Sequence, residues 1–232
     1  MLPVADSNIP LFLLRRYDLH RLIPSRYADD QDSVLIEISD GPAHLKDLFD
    51  LDNATNQRLS AELGLASGIG VDELVFGIPN FRIINAAYTY PNPNGSRFNS
   101  PNRGAWYCAF EQDTALAEVI FHKTVEYAEI NYFYDTVSYQ LYLSNFSAAF
   151  HDLRAFEGNE KYLLPQSYQE SQLLASQLLE AGSMGLIFPS VRAPGGTNLV
   201  CFRPALVNDV RKASKLRLEW SGNVTPSVQA VS

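Results

Sequence analysis

The chain has 232 residues, 46% of them hydrophobic and 19% charged, an ordinary globular composition with length for one large domain or two small ones. Its 26 acidic against 18 basic residues give a formal net charge of -8, the wrong sign for gripping a phosphate backbone, so nucleic acid is not expected as a partner. No run approaches the ~20 apolar residues of a membrane span, and the opening MLPVADSNIPLFLLRR puts its apolar run before its arginines, the reverse of a signal peptide.

Cys108 and Cys201 have neither metal-like spacing nor the density of a disulfide framework. A cytoplasmic protein without a metal centre or membrane association is the expectation.

In chain order, DLHRLIPSRY at 18 to 27 reads as a strand ending at Pro24, and SVLIEI at 33 to 38 shows apolar alternation. Asp40, Gly41 and Pro42 form a helix start, followed by Leu45, Leu48 and Phe49 at helical spacing. A second helix is predicted from Asn53 to Leu63, stopped by Gly64. From residue 81 the texture changes to short aromatic and β-branched runs separated by turn clusters, the largest being the polar loop PNPNGSRFNSPNRG at 91 to 104.

AWYCAF at 105 to 110 reads as a strand, and DTALAEVIFH at 113 to 122 as a helix capped by Asp113 or Thr114. Strands recur between 130 and 143. A helix spans 166 to 180, with Ser167 and Glu170 in capping-box register and Gly182 past its end. GLIF, the loop PSVRAPGGTN and LVCF then give strand, loop, strand. Residues 221 to 232 are polar and expected to fray. With no internal repeat, the fold class is α+β: one domain over 1 to 220, an opening strand region at 18 to 38, a helical insert at 40 to 75 and a core at 81 to 210.

Six residues could carry chemistry. Arg97 follows the Asn94-Gly95 turn, where a planar, permanently charged guanidinium suits a phosphate; taken alone it reads more readily as a surface arginine beside a turn, and Asn99 shares the ambiguity. Glu118 stands among Ala, Leu, Val, Ile and Phe on a helix, so its carboxylate sits either at a cleft or on the outer face. His122, one turn on, could share a metal with it, but no third ligand is in register and a packing role is the better reading. Tyr107 lies in an aromatic strand, and Ser190 opens the loop holding Arg192 and the Gly195-Gly196 pair; each is readable as core or loop, or as ligand-facing. No G-x-G-x-x-G opens a helix after a strand and no G-x-S-x-G occurs, which disfavours a Rossmann dehydrogenase and a serine hydrolase.

The ordered set GSRFNSP at 95 to 101, AWYCA at 105 to 109, TALAEV at 114 to 119 and PSVRAPGGTNLV at 189 to 200 resembles the RES-domain family, named for an arginine, a glutamate and a serine. Arg97 matches the arginine, Glu118 the glutamate, Ser190 the serine, and Tyr107 the tyrosine that accompanies them. HRLIPSRY at 20 to 27 is similar to the family's opening strand, which makes Arg21 a substrate-binding candidate beside Arg97, Asn99 and Tyr107, with Arg82 a rival for the first arginine. The resemblance implies an ADP-ribosyltransferase-like core and cleavage of the nicotinamide glycosidic bond of NAD, needing no cofactor beyond NAD as substrate. It also implies a toxin partnered by a small helical antitoxin.

Glycosidases generally need two carboxylates, but nicotinamide leaves from a pyridinium that already carries positive charge, so one suffices. On this reading Glu118 holds the ribose and stabilises oxocarbenium charge, Arg97 and Arg21 fix the diphosphate, and Tyr107 and Ser190 contact the nucleoside. The acceptor stays open among water, inorganic phosphate and a protein side chain, which separate a glycohydrolase, a phosphorylase and an ADP-ribosyltransferase. A non-catalytic binding module is a further alternative.

Overall fold

The computed structural model describes residues 8–28 and 68–231. The apolar alternation at 33 to 38 and both helices predicted in the insert fall outside the described residues; of the insert, residues 68 to 75 are described and contain a short 3-10 turn at Val71–Glu73. In chain order the described elements are β1 (Leu11–Pro24), α1 (Phe81–Thr89), β2 (Trp106–Ala109), α2 (Gln112–Glu129), β3 (Tyr134–Asp152), α3 (Gln169–Glu180), β4 (Gly185–Pro189), β5 (Thr197–Cys201), β6 (Asn208–Ser221) and β7 (Ser227–Val231). The fold is mixed α+β, as the sequence pattern predicts.

The seven strands form one sheet in the order β1-β2-β5-β4-β3-β6-β7, and a further β1–β3 pairing closes the first five strands into a ring. Period-two alternation sorts their side chains. Leu186 and Phe188 on β4 and Val200 on β5 pack with Leu174 and Leu178 of α3. Ile187, Leu199 and Cys201, one residue out of phase, join Trp106, Tyr142, Ile84 and Tyr88 in the core beneath α1. A third cluster sets Ala115 and Tyr127 of α2 against Leu141, Leu218 and Trp220. The helix carrying Glu118 is thus fixed through its buried face, which leaves its other face for a cleft.

Several boundaries differ from the sequence expectations. β1 begins at Leu11 rather than 18, because a register shift between Arg16 and Leu19, with Asp18 at φ 59°, absorbs the polar Tyr17-Asp18 pair as a bulge. The run from residue 81 is helix α1, whose Phe81, Ile84 and Tyr88 are buried at helical spacing; packing overrides the strand preference of Ile83 and Ile84. The strands expected at 130 to 143 are one 19-residue strand.

Both predicted helix caps move. α2 runs to Glu129 and its N-cap is Glu111, whose carboxylate accepts from the Thr114 hydroxyl at 2.9 Å and the Thr197 N–H at 3.2 Å. α3 starts at Gln169 behind Tyr168, without a side-chain cap. Its C-terminus closes as Gly182 predicts, with the Ser183 N–H bonded to the Leu178 carbonyl and the Gly182 N–H to that of Leu179. The tail expected to fray instead forms β7, which pairs with β6 from Glu219↔Ser227 to Lys215↔Val231. Its side chains are all exposed, so backbone pairing rather than burial holds it, and hydropathy alone gives no sign of it.

Gly185 opens β4 at φ 137°, and a Cβ there would collide with the Val200 carbonyl across the ladder. Gly185→Ala is therefore expected to destabilise the protein by about 3 kcal/mol or more, as a backbone clash at a glycine-only conformation; a urea unfolding curve with an unchanged midpoint would contradict this.

Candidate active site

A cleft of about 700 Å³ opens between α2, β1, β2 and the loops around residues 92 to 97 and 165 to 168, a size typical of small-molecule sites. Arg21, Arg97, Tyr107 and Glu118 all line it, so the fold brings together residues up to 97 positions apart in sequence, from Arg21 to Glu118.

Glu118 is set by two donors to one oxygen. The Ser190 hydroxyl donates to its Oε1 at 2.8 Å, and the Asn198 amide donates to the same atom, also at 2.8 Å. Ser190 is itself fixed, because its Oγ accepts the N–H groups of Arg192 at 3.1 Å and Ala193 at 3.0 Å at the base of the β4–β5 hairpin. The serine does not line the cleft directly and reaches it through the carboxylate.

Arg97 is 8% exposed. The tight turn that delivers it has Gly95 at φ 69° and a Gly95 N–H to Asn92 carbonyl bond of 2.7 Å, in agreement with the Asn94-Gly95 signal. Its Nη1 donates to the carbonyls of Leu164 at 2.9 Å and Tyr162 at 3.3 Å, and its guanidinium lies 4.7 Å from the centroid of the Tyr168 ring. Nε and Nη2 have no hydrogen-bond partner among the described residues, which leaves donors for an anion in the cleft. Burial lowers the pKa of Arg97, while Tyr168 and Glu118 counteract it; the side chain remains cationic.

Arg21 projects from β1, donates from Nη1 to the Tyr107 carbonyl at 2.8 Å and stacks over Trp106 at 4.6 Å. Burial lowers its pKa too, opposed by the neighbouring Cys108, Tyr88 and Tyr107, and its buried Nε has no partner among the described residues. Arg82 lies on α1, away from the cleft lining. Tyr107 accepts the Phe98 N–H at 2.9 Å and donates to Asn99 Oδ1 at 2.9 Å. Burial pushes this phenol well above its ordinary pKa, so it stays protonated and able to donate. The Asn99 amide is taken up by the carbonyls of Ser100 and Arg103, which makes Asn99 a brace for the loop and for Tyr107.

Tyr107→Phe removes the link between strand and loop and is expected to cost about 1–3 kcal/mol, since the Phe98 N–H loses its acceptor. Equal unfolding midpoints in urea would show that the link is dispensable.

Three residues of the site make contacts that the sequence does not announce. Asn198 shares the strand face of Val200, so a polar residue at an inward position was its available signal. Tyr168 has no signal among 12 tyrosines. Arg192 packs over the Phe121 ring at 3.3 Å and donates to the Pro165 carbonyl at 2.8 Å, tying the hairpin loop to α2 and to the segment that holds Arg97. His122 lines the cleft beside Phe121. Desolvation lowers its pKa and the Glu118 charge opposes this. Among the described residues no group of three or more His, Cys, Asp or Glu side chains is placed to hold a metal ion, and no helix is long and apolar enough to cross a membrane.

No curated protein matches the sequence. Among solved structures the chain is similar to one from the crystal structure of the M. tuberculosis MbcT-MbcA toxin-antitoxin complex, at 15% identity and a TM-score of 0.42, over 58% of this chain and 75% of that one. The RES domain family model matches residues 74–221, a span that includes Arg97, Tyr107, Glu118 and Ser190 and leaves β1 with Arg21 outside it. With well over half of its length matched, the chain belongs to the RES domain family.

Proposed function

We propose that this protein is an NAD-consuming enzyme that breaks the bond between nicotinamide and ribose, using water or inorganic phosphate as acceptor, and acts as the toxin partnered by a small helical antitoxin. The observation that carries the catalytic reading is Glu118: a carboxylate at the wall of a cleft, with one oxygen fixed by Ser190 and Asn198 and with two arginines on the same cleft. Membership of the RES family supports the substrate and the antitoxin.

The chemistry balances without a general acid. The electron pair of the glycosidic bond passes to the pyridinium nitrogen, and neutral nicotinamide leaves. The acceptor oxygen bonds to the anomeric carbon, and any proton it carries passes to solvent. Positive charge develops on the ribose in between, and a preorganised carboxylate stabilises it in a partly desolvated site. Arg97 and Arg21 hold the diphosphate so that the ribose is presented to Glu118, while Ser190 and Asn198 orient the carboxylate rather than contact substrate.

The test is to incubate the purified full chain with NAD, with and without phosphate, and to identify products by chromatography. Free nicotinamide with ADP-ribose, or with its 1″-phosphate when phosphate is present, is the expected result. Nicotinamide released with ADP-ribose found only on protein would assign transfer instead, and unconsumed NAD would overturn the catalytic reading.

A further inference from the structure

Behind the cleft lies a second cavity of similar size, about 700 Å³. The two share Arg21, Asn92, Ser96 and Tyr107 in their linings, so they adjoin along one polar seam. Beyond that seam the second cavity is mostly apolar, walled by Ile23, Ile83, Ala86, Ala87 and Pro91, with Asn99 its one further polar side chain besides the tyrosines among the described residues. Tyr27 and Tyr90 also line it and are 62% and 81% exposed. Exposed aromatic rings on an apolar cavity are stacking surfaces for a flat heterocycle.

The arrangement is one polar compartment with a carboxylate, one apolar compartment with aromatic rings, and a cation between them. A dinucleotide has the matching parts: a nucleoside at each end and a diphosphate in the middle. Arg21 is suited to the middle, because it touches both compartments, is held by its Nη1 bond to the Tyr107 carbonyl and its stack over Trp106, and has a buried Nε without a partner among the described residues. The ends are not interchangeable. Nicotinamide of the oxidised dinucleotide is cationic and belongs beside Glu118, whereas adenine is neutral and loses little by entering an apolar space.

Resting on the NAD reading above, we infer that the second cavity receives the adenosine half of the substrate, with the diphosphate crossing at Arg21. The site thereby favours dinucleotides over mononucleotides through a compartment remote from the bond that breaks.

Ala86→Trp fills the second cavity from a partly exposed helical position, and Tyr90→Ala removes a stacking ring from a residue so exposed that folding does not depend on it. In each variant the KM for NAD is expected to rise about tenfold or more, while the KM for nicotinamide mononucleotide, which lacks the adenosine half, stays within about twofold. Equal changes for both substrates, or no change for NAD, would overturn the inference. Equilibrium titration with adenosine monophosphate needs no turnover: binding to the wild-type chain that is lost in both variants supports the second compartment, and equal binding in all three overturns it. A chain that cleaves neither substrate would remove the catalytic reading and leave this titration to decide the compartment.

Discussion

Glu118→Gln is expected to lower kcat for nicotinamide release by about 10²- to 10³-fold, the loss typical when a preorganised electrostatic partner of the transition state is removed. The substitution is nearly isosteric. A glutamine oxygen can still accept from Ser190 and Asn198, which both reach Oε1 at 2.8 Å, so the helix, the hairpin loop and the cleft keep their shape. What changes is the charge facing the anomeric carbon as the bond lengthens. The defect belongs in kcat, because the diphosphate contacts assigned to Arg97 and Arg21 are untouched. Glu118→Ala should be at least as inactive, but it also strands two donors at the cleft wall. The glutamine variant is therefore the cleaner probe, and wild-type kcat in it would sink the mechanism. Ser190→Ala and Asn198→Ala each remove one of the two donors and should give smaller losses than Glu118→Gln, because the carboxylate remains while its orientation loosens.

The parts of this site legible in the sequence are those written locally. The Asn94-Gly95 turn, the carboxylate on an apolar helix and the serine at a strand end each have a short-range signature, and their order along the chain carries the family resemblance. The alternation that sends Leu186 and Phe188 one way and Ile187 the other is likewise local; β4 follows its GLIF pattern, while β5 begins two residues before LVCF, at Thr197, and so takes in Asn198. What escaped depends on partners distant in sequence. Arg192 meets Phe121 across 71 positions, Arg97 meets Tyr168 across 71, and Asn198 meets Glu118 across 80; nothing near any of these residues announces the contact. The bulge in β1 and the strand β7 lack a sequence signature for a related reason: both are set by backbone pairing with a neighbour, β3 and β6 respectively, rather than by the hydropathy of their own residues.

Arg97→Lys is expected to raise the KM for NAD by about 10- to 100-fold, although it conserves charge. The arginine performs three tasks with one planar group. Nη1 spans the Tyr162 and Leu164 carbonyls at 3.3 and 2.9 Å, the guanidinium face lies over Tyr168, and Nε and Nη2 remain for an anion. An ammonium is a point charge without a flat face, and if it satisfies the two carbonyls it presents no fork to a diphosphate; if it turns to the ligand, the carbonyls lose their donor. The lysine variant should therefore also lose about 1–2 kcal/mol of stability, whereas Arg97→Ala should lose more and bind NAD more weakly still. Measuring both quantities on the same preparations separates the two roles. A KM defect that tracks only the fraction of unfolded protein would make Arg97 a scaffold residue. A KM defect in fully folded Arg97→Lys, with kcat falling less than in Glu118→Gln, is the outcome that places its free nitrogens on the substrate.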